Sequence, residues 1–155
     1  MRRVELTIRA ATAADAPRLH ELHTASVRLI CASHYAPHMI DGWLANRRPA
    51  GYLPPIERGE LFVAEQSESI VGFGEAVPGV IVACYVDPTI VRRGVGSAII
   101  RHALEIAQRR HDGPIRVEAT LNAAPFYARF GFREVQRSTL RRGQVDVPYV
   151  LMERP

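Results

Sequence analysis

The sequence predicts an α/β domain whose central strands are covered by helices. Three observations carry this. Strand-like stretches and helical stretches alternate along the whole chain. Several strand pairs are separated only by short turn signals, a polar turn at residues 67–69, Pro78-Gly79 and Arg142-Gly143, which suit hairpins. One strand, "GVIVACYV", is continuously apolar, as expected of a strand with both faces covered.

The elements follow in order. "VELTIRAAT" reads as a first strand. Thr12 caps the next helix, with Asp15 three residues on in a capping-box arrangement. Residues 14 to about 33 have helical spacing through Leu19, Leu22, Val27 and Ile30. Pro37 opens a shorter helix through Met39, Ile40, Trp43 and Leu44. "NRRPAGYLPPIERGE" is expected to be a proline- and glycine-rich connector. The strands "ELFVAEQ", "SIVGFGEAV" and "GVIVACYV" come next. A helix from Gly96 to about His111 presents Ile99, Ile100, Ala103, Leu104 and Ala107 on one face. "PIRVEATL" alternates as a half-buried strand, "AAPFYARF" is a short helix ending at Gly131, and two last strands lie around "FREVQRSTL" and "VPYVLME".

At 155 residues the chain is expected to form one domain, residues 1–155. No apolar run reaches the roughly 18 residues of a membrane span. The N-terminus has no apolar h-region, so a cytoplasmic location is expected. Cys31 and Cys84 do not make a disulfide framework. All 20 basic residues are arginine, which excludes a lysine Schiff base and a lysine P-loop. The net charge of +4 favours anionic ligands, but no basic stripe with interleaved aromatics points to nucleic acid. Cys31-x2-His34-x3-His38 lacks a fourth ligand nearby, so no metal is expected.

The most informative stretch is "VDPTIVRRGVGSAII". The unpaired N–H groups and the dipole at a helix start, reached through glycines, form an anion site. The P-loop and dinucleotide templates both fail here: there is no lysine, and the third glycine position of the latter is Ile99.

Together with "NAAPFYARFGF" at residues 122–132, and with the order of elements, this stretch resembles the GCN5-related N-acetyltransferase (GNAT) family. The resemblance covers nearly the whole chain. It implies a mixed, mostly antiparallel central sheet with helices on both faces, the acyl-CoA N-acyltransferase fold. It also implies acetyl-CoA as co-substrate. The family's Gln or Arg position falls here on Val91, so main-chain amides and the charges of Arg92 and Arg93 are expected to serve the pyrophosphate over residues 92–97.

The implied cofactor-binding residues are Cys84, Tyr85 and Val86 on the fourth strand, Arg92, Arg93, Gly94, Val95, Gly96 and Ser97 at the turn, and Asn122, Phe126 and Tyr127. Acetyl transfer to an amine needs a polarised thioester carbonyl, a proton acceptor for the amine and a proton donor for the leaving thiolate. The resemblance gives the first to the Cys84 main-chain N–H, with the thiol inert, and the last to Tyr127. A phenol near pKa 10 stays protonated at neutral pH. Many members carry the base on the fourth strand, where this chain has Val80 and Val82. Glu118 is the first candidate base, ahead of Glu75 and of His34 and Tyr35. Trp43, Tyr35 and Met39 are expected to line an acceptor pocket, and His20 and His23 to be solvated or satisfied. The expected partner is a small-molecule amine, with a second copy of the chain as a further candidate and neither nucleic acid nor membrane. The alternatives are acetylation of a protein or peptide amine, and a non-catalytic acyl-CoA-binding module.

Overall fold

The computed structural model describes residues 5–90 and 94–155. Arg92 and Arg93, two of the expected phosphate-turn positions, lie outside the described residues, as does Val91. The elements in chain order are β1 (Leu6–Ala10), α1 (Ala16–Ile30), α2 (Pro37–Leu44), α3 (Leu53–Glu57), β2 (Leu61–Gln66), β3 (Ser69–Val77) and β4 (Val80–Val86). They continue with α4 (Val95–Gln108), β5 (Ile115–Ala119), α5 (Ala124–Ala128), β6 (Arg133–Arg142) and β7 (Val145–Arg154).

The strands form one sheet in the order β1-β2-β3-β4-β5-β7-β6. Every neighbouring pair is antiparallel except β4–β5, so the expected mixed, mostly antiparallel sheet is what the chain forms. The parallel pair is short: only Val80↔Arg116 and Ile81↔Val117 are in register. At that point the β3–β4 ladder also shifts, from Ala76↔Ile81 to Glu75↔Ala83, which leaves Val82 as the extra residue of a bulge. A bulge bends its strand and strengthens the local twist. β4 therefore turns away from β5, and the sheet opens between them.

Helices cover both faces. On one side α4 buries Ile99, Ile100, Ala103, Leu104 and Ala107 against the sheet, together with Tyr127 of α5. On the other, α1 buries Leu19 and Leu22 against Val63 and Phe73, each such side chain contributing roughly 1.5–3 kcal/mol. A third cluster joins Val27, Cys31, Tyr35, Ile40 and Trp43 to Val147 of β7. Tyr35 closes this region: its hydroxyl donates to the Pro148 carbonyl at 2.7 Å and accepts from the Leu121 N–H at 2.9 Å.

Two local differences from the sequence reading matter. The proline-rich connector is not irregular: Pro49–Tyr52 is a 3₁₀ turn that leads into α3. Prolines in a first helical turn lose no hydrogen bond, because the N–H there has no intrahelical acceptor. The stretch read as one helix over 14–33 is three pieces, 3₁₀ turns at Ala13–Asp15 and Cys31–Ser33 flanking α1. No helix among the described residues is long and apolar enough to cross a membrane.

Candidate active site

Two cavities flank the place where β4 and β5 part. The smaller, about 290 Å³, is lined by Cys84, Tyr85 and Val86 of β4, by Gly94, Gly96 and Ser97 at the start of α4, and by Thr120, Asn122 and Phe126. Ser26, Ile30 and Cys31 of the α1 end complete its wall. The larger, about 530 Å³, lies on the α1 side and includes His23, Arg47, Tyr52, Glu75 and Arg142 among its lining residues. Tyr85 lines both. The two cavities thus abut at one side chain on the splayed strand.

The smaller cavity is built largely from backbone. Gly94 caps α4 with φ +81°, in the left-handed region that glycine adopts without strain. A Cβ at Gly94 would meet no atom within 4 Å, so the turn is open on that side. The first α4 N–H with an intrahelical acceptor is that of Ala98, which donates to the Gly94 carbonyl at 3.1 Å. The N–H groups of the first turn before it have no helical acceptor, and the helix dipole adds positive potential there. Across the cavity the Asn122 Oδ1 is buried without a hydrogen-bond partner among the described residues. A pyrophosphate and an amide-containing arm would satisfy both ends, so the residues present fit coenzyme A. The β4 exit is held firmly: the Asp87 carboxylate accepts from the Thr89 N–H and hydroxyl and from Arg18 of α1.

Cys84 is partly covered, and burial pushes its thiol up to about 12. It is therefore a protonated, poorly nucleophilic thiol. Tyr127 is 4% exposed and sits in the α4-side core rather than on either cavity wall. Burial, with Cys84 and Tyr85 nearby, raises its phenol well above the ordinary value. Phe126, its neighbour, lines the smaller cavity. Val95 is buried under the turn and packs into the core.

The candidate bases are distributed differently from the sequence reading. Glu118 is exposed on β5 and lines neither cavity. It shares a sheet face with Leu151, its register partner on β7. Glu75 lines the larger cavity, and burial raises its carboxyl above the usual range. His34 is exposed and contacts Ser33. Tyr35 holds α2 to the sheet as described, and neither it nor Met39 lines the larger cavity, whereas Trp43 does.

Sequence reasoning missed a polar cluster on that cavity's wall. His23 is 6% exposed. Its Nδ1 lies 2.7 Å from Arg47 Nη2 and 2.8 Å from the Tyr52 hydroxyl. Arg47 also donates to the Tyr52 oxygen at 3.1 Å. A guanidinium only donates, so Nδ1 accepts and the ring proton sits on Nε2. Among the described residues that Nε2 is buried without a partner, as is Arg47 Nε. Burial first, then the Arg47 and Arg142 charges, hold the imidazole well below its ordinary pKa, so it is neutral. The signal was present in the sequence: His23 falls four residues after Leu19 and one after Leu22, on the inward stripe of α1.

A family model described as an acetyltransferase (GNAT) domain matches residues 31–153. The chain belongs to the GNAT family. Residues 31–153 thus form an acetyltransferase domain, as the resemblance implied. This GNAT chain is 27% identical over 123 residues to the uncharacterized N-acetyltransferase YafP of Escherichia coli, covering 79% of this chain and 78% of that one. Its fold is similar to a GCN5-related N-acetyltransferase from Rhodopseudomonas palustris, with a TM-score of 0.90, 24% identity and coverage of 99% and 98%. It is also similar to the paia N-acetyltransferase of Thermoplasma acidophilum, solved in complex with coenzyme A, with a TM-score of 0.77, 18% identity and coverage of 97% and 98%.

Proposed function

We propose that this GNAT protein transfers acetyl from acetyl-CoA to an amine by direct attack in a ternary complex. The acyl carrier occupies the smaller cavity and the amine enters from the larger. The observation that carries this reading is the junction at Tyr85, which lines both cavities where the β4–β5 ladder stops after two registered pairs.

Bound acetyl-CoA supplies an activated thioester carbonyl. The main-chain N–H groups of residues 94–97 hold the pyrophosphate, with Arg92 and Arg93 as further sources of charge. Cys84 contributes its main-chain N–H to the carbonyl oxygen, while its thiol stays protonated and forms no covalent bond. Tyr127 keeps its phenolic proton through burial and, from beside Cys84 and Tyr85 of the cavity wall, offers that O–H as a hydrogen bond to the leaving sulfur. Glu75 takes the ammonium proton at its carboxylate, a role that passes to it from Glu118 because Glu75 lines the acceptor-side cavity and Glu118 does not. Its raised pKa brings it closer to neutrality, where a general base works best.

The test is calorimetry with coenzyme A on Gly96→Asp. The substitution puts a carboxylate among the N–H groups of the α4 turn, and binding is expected to be lost. A folded Gly96→Asp protein that bound coenzyme A as tightly as the parent would overturn the assignment of this cavity.

A further inference from the structure

The larger cavity carries an imbalance of charge that the transfer reaction does not use. Arg47 and Arg142 both line it. Among the described residues Arg47 makes hydrogen bonds to the neutral partners His23 and Tyr52 and to no others. Neither arginine forms an ion pair with a carboxylate among the described residues. The adjacent Arg141, in contrast, is paired with Asp146.

Two donors on the wall are also orphaned. His23 Nε2–H and Arg47 Nε are buried with nothing to donate to among the described residues. An unpaired buried donor costs about 1–3 kcal/mol and a charged one more, so a native site of this kind is built to receive an acceptor group. Among the described residues on the lining, Glu75 is the one carboxylate. The remaining wall is aromatic, from Trp43, Tyr52, Phe73 and Tyr85.

The fold places Arg142 here deliberately. α2 meets the β6–β7 turn at a close backbone approach: Gln144 N–H donates to the Gly42 carbonyl at 2.9 Å. A Cβ on Gly143, whose φ is +54°, would collide with that carbonyl, and one on Gly42 with Val145. These two glycines let the turn lie against α2, and the residue before the turn is Arg142. Its charge reaches His23, Glu75 and Tyr85, all of which respond to it electrostatically.

We propose that the acceptor is a small amine that also carries an anionic group, a carboxylate or a phosphate, with Arg47, Arg142 and His23 Nε2–H as its specificity determinants. The anion sits against the arginines, an apolar body lies along the aromatic wall, and the amine points to Glu75 and the Tyr85 junction. A planar guanidinium fork suits either anion. A cavity of about 530 Å³ is in the range of small-molecule sites. A cationic polyamine would meet two uncompensated arginines, and an amino acid whose carboxylate is blocked as an amide would offer them only a neutral acceptor. This inference rests on the larger cavity being the acceptor site.

The test is a panel of four amine classes on the intact protein: free amino acids, the same amino acids as primary amides, aminoalkyl phosphates, and polyamines. Binding is read by calorimetry with coenzyme A present, and transfer by thiol release from acetyl-CoA. Amino acids or aminoalkyl phosphates should bind at least tenfold tighter than the amides and polyamines, and which of the two wins identifies the anion. Arg142→Gln should weaken that binding by roughly 10- to 100-fold, the scale of one charged hydrogen bond. Arg141→Gln removes the same charge one residue away, outside the cavity, and should leave it unchanged. Amides or polyamines binding as tightly as the anionic amines would overturn the proposal, as would unaltered affinity in Arg142→Gln. If no class is acetylated while coenzyme A binds, the transfer reading itself fails. If only neutral or cationic amines are acetylated, that reading stands and this one falls.

Discussion

The two cavities that meet at Tyr85 are made of different materials. The smaller is a backbone site: a left-handed glycine, a helix start with unpaired N–H groups, and a strand edge left open by the short β4–β5 ladder. The larger is a side-chain site, assembled from α1, the segment after α2, β3 and the β6–β7 turn. A backbone site serves any molecule with the same phosphate arm and depends on local sequence. A side-chain site draws residues from distant stretches and carries the choice of acceptor. Damage to the first should therefore abolish function outright, while damage to the second should change which amine is used and how its proton leaves.

The largest expected effect is on the backbone site. Gly96→Asp should weaken coenzyme A binding by more than about 100-fold, through like charge against the pyrophosphate at close range. Calorimetry and a thermal melt on the same sample separate lost binding from lost fold. Retained affinity would mean that the α4 turn is not the anion site.

Tyr127→Phe comes next, because it removes the proposed donor to the leaving sulfur and leaves both cavity linings intact. It keeps the buried ring and removes the donor. A drop in kcat of roughly 10²- to 10⁴-fold is expected, with coenzyme A affinity unchanged. A wild-type kcat would remove Tyr127 from the proton path and leave it as a core residue.

Glu75→Gln sharpens the comparison from the acceptor side. The Glu75 carboxyl is raised above the ordinary range by burial, then by Glu60, against the lowering charges of Arg58 and Arg142. A base works only when ionised, so the acidic limb of the pH–rate profile should lie above the usual carboxylate pKa in the parent. Glu75→Gln should lose that limb and fall about 10- to 100-fold in kcat/KM at neutral pH. Glu118→Gln should keep the limb. The reverse pattern would return the base to the exposed strand position.

A smaller effect concerns stability. His23 is held neutral in the fold and titrates near 6.5 when unfolded. Its folded pKa is depressed, so the unfolded chain binds the extra proton. The stability this gives is present above about pH 6.5 and falls as pH drops below that value. Unfolding midpoints in denaturant should therefore decline from pH 7 to pH 5, and His23→Asn should flatten the decline. An unchanged slope in that variant would place the titration elsewhere.

The fold was largely legible before any coordinates. Strand alternation at 115–121, the apolar run of β4 and the helical spacing of α4 are local patterns, and each element formed where its period placed it. The backbone cavity was legible for the same reason, since Gly94, Gly96, Ser97 and Asn122 belong to two contiguous motifs. The acceptor cavity was not. Arg47 lay in a segment read as irregular, where prolines at the start of helical turns disguised a 3₁₀ turn and α3. Arg142 carried no periodic signal, because its position follows from the Gly42–Gly143 approach between elements a hundred residues apart. Glu118 could not be placed relative to the cavities from sequence, because alternation tells which face a residue takes, not whether a cavity lies beneath it. On this sheet face β5 is bare at Glu118, while β3 is roofed at Glu75.

The central claim is that carrier and acceptor occupy adjoining cavities at once and react directly across the Tyr85 junction. Initial velocities measured while acetyl-CoA and a free acceptor amine are both varied test it most directly. The account predicts double-reciprocal lines that intersect, the pattern of a ternary complex. Parallel lines, the pattern of an acetylated enzyme formed and discharged in turn, would contradict it.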